Sequence, residues 1–444
     1  MNIALTEFIL SVLITLVWLG PFLISLKRKI FNFLHPQTLI PIWIVYFIWN
    51  AMIEKWSPWM VETDPGIIRT TTTLLPQFPE FFVLPLIIVL ISGLFFHFGI
   101  RILSPSVYSD SSYNARSMIE YKIINDDMKF IFLFFSFLLC AVAWLPNFLL
   151  PNEGLGTFWT YPVAMINCFL PFMVFLINKP LGVICFAFTL ITGTVLESKA
   201  ALVYPMLPII FYYFYFHFHI KSVFSLFIPI MFITLLWVLL SIGGFDFFLA
   251  KLLHRDYAFE VFAALVHFSN NSVFGNLEYG ISGVLNSSSI SWLWAEIVEG
   301  IPSILNPYKG ESINPAKLVT ESFLPTDYEN TTLRNAYFNR FFLFAGYHDF
   351  GFIGAFLQSF SFGLLYSWFY RRFLRRVTKE KLLWPMFVYL PVPCLSTYFV
   401  SAGGITYGFI NALIPAFLLI SLIYFSKLIT FVRIQLSLNL PINQ

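Results

Sequence analysis

Uncharged apolar runs of about 20 residues recur along this whole chain, and they leave it one class of fold. A bilayer's hydrocarbon core is about 30 Å thick, and about 20 apolar helical residues cross it. Inside lipid the backbone has no water to bond, so a crossing segment is an α-helix or part of a closed β-barrel. Barrel strands alternate apolar and polar residues over about ten positions, whereas these runs are continuous. Charged residues make up 11% of the chain, against about 25% in soluble domains, and mean hydropathy is +0.78. The expected fold is therefore an all-α polytopic integral membrane protein.

Apolar runs place about 11 crossings at 4–26, 38–52, 81–100, 130–149, 159–177, 181–196, 200–216, 223–242, 349–370, 382–400 and 407–425. The first has no basic leader and no small-residue cleavage site, so it reads as a retained helix. Cations mark the cytoplasmic ends of crossings. Lys27, Arg28 and Lys29 close the first run, and Arg371, Arg372, Arg375, Arg376, Lys379 and Lys381 follow the ninth. Both clusters fall on one side if the N-terminus is outside and the C-terminus inside. That orientation puts 17 of the 26 Lys and Arg on the cytoplasmic side. Cys140, Cys168, Cys185 and Cys394 all lie in apolar runs and read as small hydrophobes, not as a disulfide set or a metal site. In the loop 54–80, which this orientation puts outside, Pro65-Gly66 signals a turn.

Three regions result. Residues 1–243 carry crossings 1–8, 244–347 form one large outer loop with short amphipathic helices, and 348–444 carry crossings 9–11 and a cytoplasmic tail. The crossings are nearly free of ionisable groups; Glu7 and the Glu197/Lys199 hairpin tip are the exceptions. Pumps and channels place such groups inside the membrane. Here the polar chemistry gathers in the outer loop instead, which favours work at the membrane surface on a lipid-tethered substrate.

Within that loop, 246–270 reads as helical. At 3.6 residues per turn Asp256, Glu260 and His267 fall within about 40° of one another. Two carboxylates and an imidazole on one face suit a general base. Lys251 and Arg255, four apart on another face, suit a pyrophosphate clamp; a solvated amphipathic face explains the same pattern. A second cluster holds Arg334, Asn335, Tyr337, Asn339 and Arg340 and leads into His348-Asp349. The plainer reading of Asp349 is a carboxylate near the N-terminal amides of the helix it begins. Residues 288–306 read as an interfacial helix with Trp292 and Trp294 at the headgroups. The outer loops have no HExxH, cysteine cluster or Asp-x-Asp, so neither a metal nor another cofactor is expected.

Two stretches, AGYHDFGFIGAFLQSFSFGLLYSWFYRRF and TGTVLESKAALVYPMLPII, resemble the O-antigen polymerase family, the Wzy-type polymerases of oligosaccharide repeat units. The first has the aromatic residue, Asp-Phe-Gly and a Gly-rich span ending in basic residues. The second has a small-residue turn, a basic residue and a long aliphatic span, with Lys199 where arginine is often seen. The likeness extends to the architecture, a GT-C-like bundle with one large periplasmic loop in a bacterial inner membrane. It implies a glycosyltransferase. A growing glycan on undecaprenyl pyrophosphate is the donor, and a new lipid-linked unit attacks it through its non-reducing-end hydroxyl. Candidate bases are Asp256, Glu260 and His267. Candidate pyrophosphate clamps are Lys199, Arg255, Arg334 and Arg340. Expected partners are the lipid-linked oligosaccharide, membrane lipid and a chain-length regulator, with no nucleic acid.

Three other functions remain open. An O-antigen ligase shares the architecture and differs in acceptor. A flippase or exporter of the lipid-linked unit predicts buried charges and short loops, and this chain has neither. A lipid-phosphate-sugar transferase predicts a carboxylate loop outside after the first crossing, where this chain has a basic loop read as cytoplasmic.

Overall fold

The structure, a computed structural model, describes residues 3–28, 34–56, 60–64, 67–70, 83–105, 121–149, 169–195, 208–209, 212, 291–300, 343–392 and 405–439. Its helices are α1 (Ile3–Lys27), α2 (Leu39–Trp56), α3 (Val83–Leu103), α4 (Lys129–Leu149), α5 (Lys179–Val195), α6 (Trp292–Gly300), α7 (Phe344–Phe369), α8 (Arg375–Glu380), α9 (Trp384–Tyr389) and α10 (Ile405–Asn439). One antiparallel hairpin, β1 (Met60–Asp64) and β2 (Ile67–Thr70), flanks Pro65-Gly66, with Asp64 opposite Ile67 and Met60 opposite Thr70. The sequence reading had a turn there but no strands.

Among the described residues four segments are long and apolar enough to cross a membrane: Ile3–Lys27, Val83–Leu103, Ala345–Val377 and Ala412–Gln435. Shorter apolar helices lie at Leu39–Trp49 and Lys179–Thr189. The molecule is thus a mostly helical membrane protein. Large apolar side chains such as Leu16, Phe98, Leu357 and Phe417 stay exposed on these helices, and that is the surface a bilayer covers.

In lipid, apolar burial does not pull helices together, so close van der Waals packing and interhelical hydrogen bonds must do it. The central pair, α3 and α7, follows that rule. Ser359, Gly363 and Ser367 recur every fourth residue on α7 and so share one face. A Cβ on Gly363 would run into the backbone carbonyl of Phe96, and one on Gly99 into that of Phe360. The two backbones touch there because neither glycine has a side chain. Around this crossing Ser359 Oγ donates to the Ser92 carbonyl (2.8 Å), and Ser367 Oγ donates to that of Ile100 (3.1 Å). Phe96, Phe362 and Tyr366 stack along the same seam.

α1 joins α3 through Trp18, whose indole N–H donates to the Val89 carbonyl (3.0 Å). The ring lies over Gly93, where a Cβ would sit 2.6 Å from it. α2 is tied to α1 by Trp49 Nε1–H and the Thr15 hydroxyl (2.9 Å). α4 packs on α5 and α10, and the thiol of Cys140 hydrogen-bonds that of Cys185 across the α4–α5 contact. Both are reduced and buried. In a Cys168→Ser/Cys394→Ser protein, a membrane-permeant oxidant such as copper phenanthroline is expected to join these two thiols. Intact mass should fall by about two daltons, the two hydrogens passing to the oxidant. An unreacted pair would contradict the α4–α5 packing.

The segments 34–38, 101–105, 121–128 and 371–384 gather at one end of the bundle. Lys122 and Leu382 form a parallel bridge, and Arg371 reaches the Leu103 carbonyl (3.3 Å). Leu34, His35, Gln37 and Thr38 are fully buried there. Irregular backbone at such a depth must find partners within the protein. Tyr389 donates to the Leu34 carbonyl (2.7 Å), and the Gln37 N–H donates to His35 Nδ1 (3.1 Å). Since Nδ1 accepts, the His35 proton lies on Nε2, facing the Pro105 carbonyl at 3.1 Å.

One difference from the sequence reading concerns length. The last crossing was expected at 407–425, yet α10 runs 35 residues, about 50 Å at 1.5 Å per residue. It carries Lys427 and Arg433 on a continuing helix instead of a tail. Pro415 inside it leaves the helix unbroken.

Candidate functional site

At the other end of α7 the AGYHDFG stretch folds into a junction in which nearly every residue has a structural task. Residues 344–350 form two helical turns, the helix breaks, and 352–369 make the crossing. The break lies at Phe350 (φ −136°, ψ 15°) and Gly351 (φ 62°, ψ −146°). Backbone in that second region is open essentially to glycine alone. The short helix then lies back against the crossing. Gly346 N–H donates to Gln358 Oε1 (2.9 Å), and a Cβ on Gly354 would meet the Gly346 carbonyl.

This reversal presents Asp349 to the start of α6, 58 residues earlier in the chain. Trp292 N–H donates to Oδ1 at 2.7 Å and Leu293 N–H to Oδ2 at 2.8 Å. The Ser291 hydroxyl donates to Oδ2 at 2.7 Å and itself accepts the Trp294 N–H at 3.2 Å. The first three amides of α6, orphaned in any helix, are therefore all satisfied. The carboxylate also sits at the positive end of the helix dipole. His348 Nδ1 lies 3.2 Å from Oδ1, and its ring meets Trp292 edge-on at 5.1 Å. Only 5% of the Asp349 side chain is exposed.

Four hydrogen bonds fill the acceptor capacity of an ionised carboxylate. Asp349 is consequently a structural latch that ties α7 to the start of α6. The sequence reading put it near helix N-terminal amides; the amides are those of α6, not of its own helix. The reading also put both tryptophans of 288–306 at the headgroups. Trp292 instead turns inward, 3% exposed, and Trp294 alone faces out at 62%. A heptad or dipole argument does not reveal this, because the partner is remote in sequence.

The residues proposed for catalysis, Asp256, Glu260 and His267, lie outside the described residues. So do Lys199, Arg255, Arg334 and Arg340, the candidate clamps. What the structure adds is the seat of the interval that carries most of them: α6 belongs to 244–347, and it packs on α7 and α10. The glycine–serine seam of α3 and α7 is the main feature missed in the sequence, and its signal is the four-residue spacing of Ser359, Gly363 and Ser367. Among the described residues no group of three His, Cys, Asp or Glu stands close enough to hold a metal ion. No family model matches this chain, and no curated protein and no solved structure matches it either.

Proposed function

We propose that this protein is a polymerase of lipid-linked oligosaccharide repeat units. On this reading about 11 helices cross a bacterial inner membrane, and 244–347 faces the periplasm. The observation that supports it most is the Asp349 latch. It fixes one helix of the long polar interval at the mouth of a crossing helix, with Trp294 exposed beside it. A polar segment held at that level is well placed for a substrate whose reactive sugar hangs on an isoprenoid anchor. The donor is a glycan on undecaprenyl pyrophosphate, and the acceptor is the next lipid-linked unit. Asp256, Glu260 or His267 takes the acceptor hydroxyl proton. Lys199, Arg255, Arg334 and Arg340 are the cations available to the leaving pyrophosphate.

Loss of the gene is expected to leave lipopolysaccharide carrying a single repeat unit. Loss of all repeats would instead mark a ligase. Unpolymerised units trapped on the cytoplasmic face would mark a flippase. Arg255→Ala and Arg340→Ala are each expected to abolish the ladder of longer chains at unchanged protein level, and normal ladders in both would remove them from the site.

A further inference from the structure

The basic end of α7 is built as more than a topology signal. Arg371, Arg372, Arg375, Arg376 and Lys379 line one open groove of about 760 Å³. The wide turn Tyr370–Leu374 carries the helix from α7 into α8 without a break. On the opposite face Tyr370, Phe373, Leu374 and Val377 are buried in the bundle, so the basic face has a fixed direction.

Among the described residues, cations outnumber carboxylates in the lining of the groove. Among the described residues that line it the one carboxylate is Glu380, which lies 3.6 Å from Arg376. Asp126, another carboxylate at this end, is engaged by Lys122 and Lys129, which hold its carboxyl down at about 2. A groove lined by four arginines and a lysine suits an anion with several acceptor oxygens, and arginine's planar fork matches phosphate.

What surrounds the groove identifies the carrier of that phosphate. Its wall includes Leu103 and Trp368, and Trp368 is 46% exposed. Tryptophan prefers the level where hydrocarbon meets headgroups. Directly up the same two helices, Phe98, Ile102 and Leu365 are exposed and apolar. A soluble anion would use the cations and ignore this strip, whereas a lipid would use both. Basic pockets between crossing helices are a recognised physical setting for anionic headgroups.

We propose that this groove binds the phosphate headgroup of an anionic membrane lipid, with the acyl chains lying along Leu365, Phe98 and Ile102. Binding ties α3 to α7 at the end where Arg371 already touches Leu103, and it is independent of any polymerase activity.

The test is thermal stability and native mass spectrometry of the full-length protein in neutral detergent. Cardiolipin is expected to raise Tm and to stay bound, and phosphatidylcholine to do neither. An Arg372→Gln/Lys379→Gln protein changes two exposed groups. It should keep its lipid-free Tm and bind cardiolipin roughly thirtyfold more weakly. Lys27→Gln/Lys179→Gln removes the same charge elsewhere on the chain and should bind as the parent does. Three results would overturn the proposal: equal response to the zwitterionic lipid, equal weakening in both double variants, or the full effect from inorganic pyrophosphate alone.

Discussion

A Gly363→Leu protein is expected to fail to fold into a stable bundle. Overfilling a packed core ordinarily costs about 1–3 kcal/mol, because side chains shift to make room. Here the first atom of any side chain meets the backbone carbonyl of Phe96, and a backbone inside a helix yields only by moving the whole helix. Parting α3 from α7 also breaks the Ser359 and Ser367 bonds. Such bonds average only about 0.6 kcal/mol each in membranes, so steric exclusion dominates and Ser359→Ala should be mild. The measurement is the monodisperse peak of the detergent-extracted protein on size exclusion, together with its Tm. Gly363→Leu should lose the peak, and Gly363→Ala should lower Tm. Gly20→Leu is the control, since a Cβ at Gly20 meets nothing within 4 Å. Gly363→Leu behaving like that control would mean that the two backbones do not touch.

Asp349→Ala is expected to release α6 while leaving the rest of the bundle in place. The substitution removes the acceptor for two backbone amides, a serine hydroxyl and an imidazole nitrogen. Losing a helix cap costs about 0.5–2 kcal/mol, and a hydrogen bond to a charged group is worth about 1.5–3 kcal/mol. A local loss of about 3 kcal/mol is therefore reasonable, which corresponds to roughly hundredfold faster hydrogen exchange at Trp292 and Leu293. Exchange along 352–369 should stay slow. Asp349→Asn keeps one carbonyl oxygen and should fall between the two. Gly351→Ala reaches the same junction by another route. It strains the backbone at φ 62° by about 1–3 kcal/mol and touches none of the hydrogen bonds. Unchanged exchange at Trp292 in Asp349→Ala would dissolve the latch. Under the proposed function both variants also shorten the glycan ladder.

The two positions show where reading a sequence stops. AGYHDFG stood out in the chain, and both Asp349 and Gly351 lay in the stretch that carried the family resemblance. Gly351 has a reason visible in the backbone alone, a conformation that side chains avoid. Asp349 does not, because its partners are the amides of α6 and no local pattern names them. The seam of α3 and α7 was legible in half. Ser359, Gly363 and Ser367 repeat at four, but their facing surface, Ser92, Phe96 and Gly99, contains a phenylalanine and announces nothing. His35 and Gln37 follow the basic cluster Lys27–Lys29 in the chain, and nothing in their local sequence marks them as buried. They are buried because their own segment gathers with three others at one end of the bundle.

By itself the sequence determined the membrane, the long apolar helices and the placement of the basic clusters after them. Those properties are sums over some 20 consecutive residues, and a bilayer responds to such sums directly. Only the tertiary structure decided that two glycines let α3 and α7 touch, that a carboxylate caps a helix 58 residues away, and that five cations share one groove. Each of these depends on which helices become neighbours, and in lipid that is decided by shape and hydrogen bonding between surfaces, which no single segment contains.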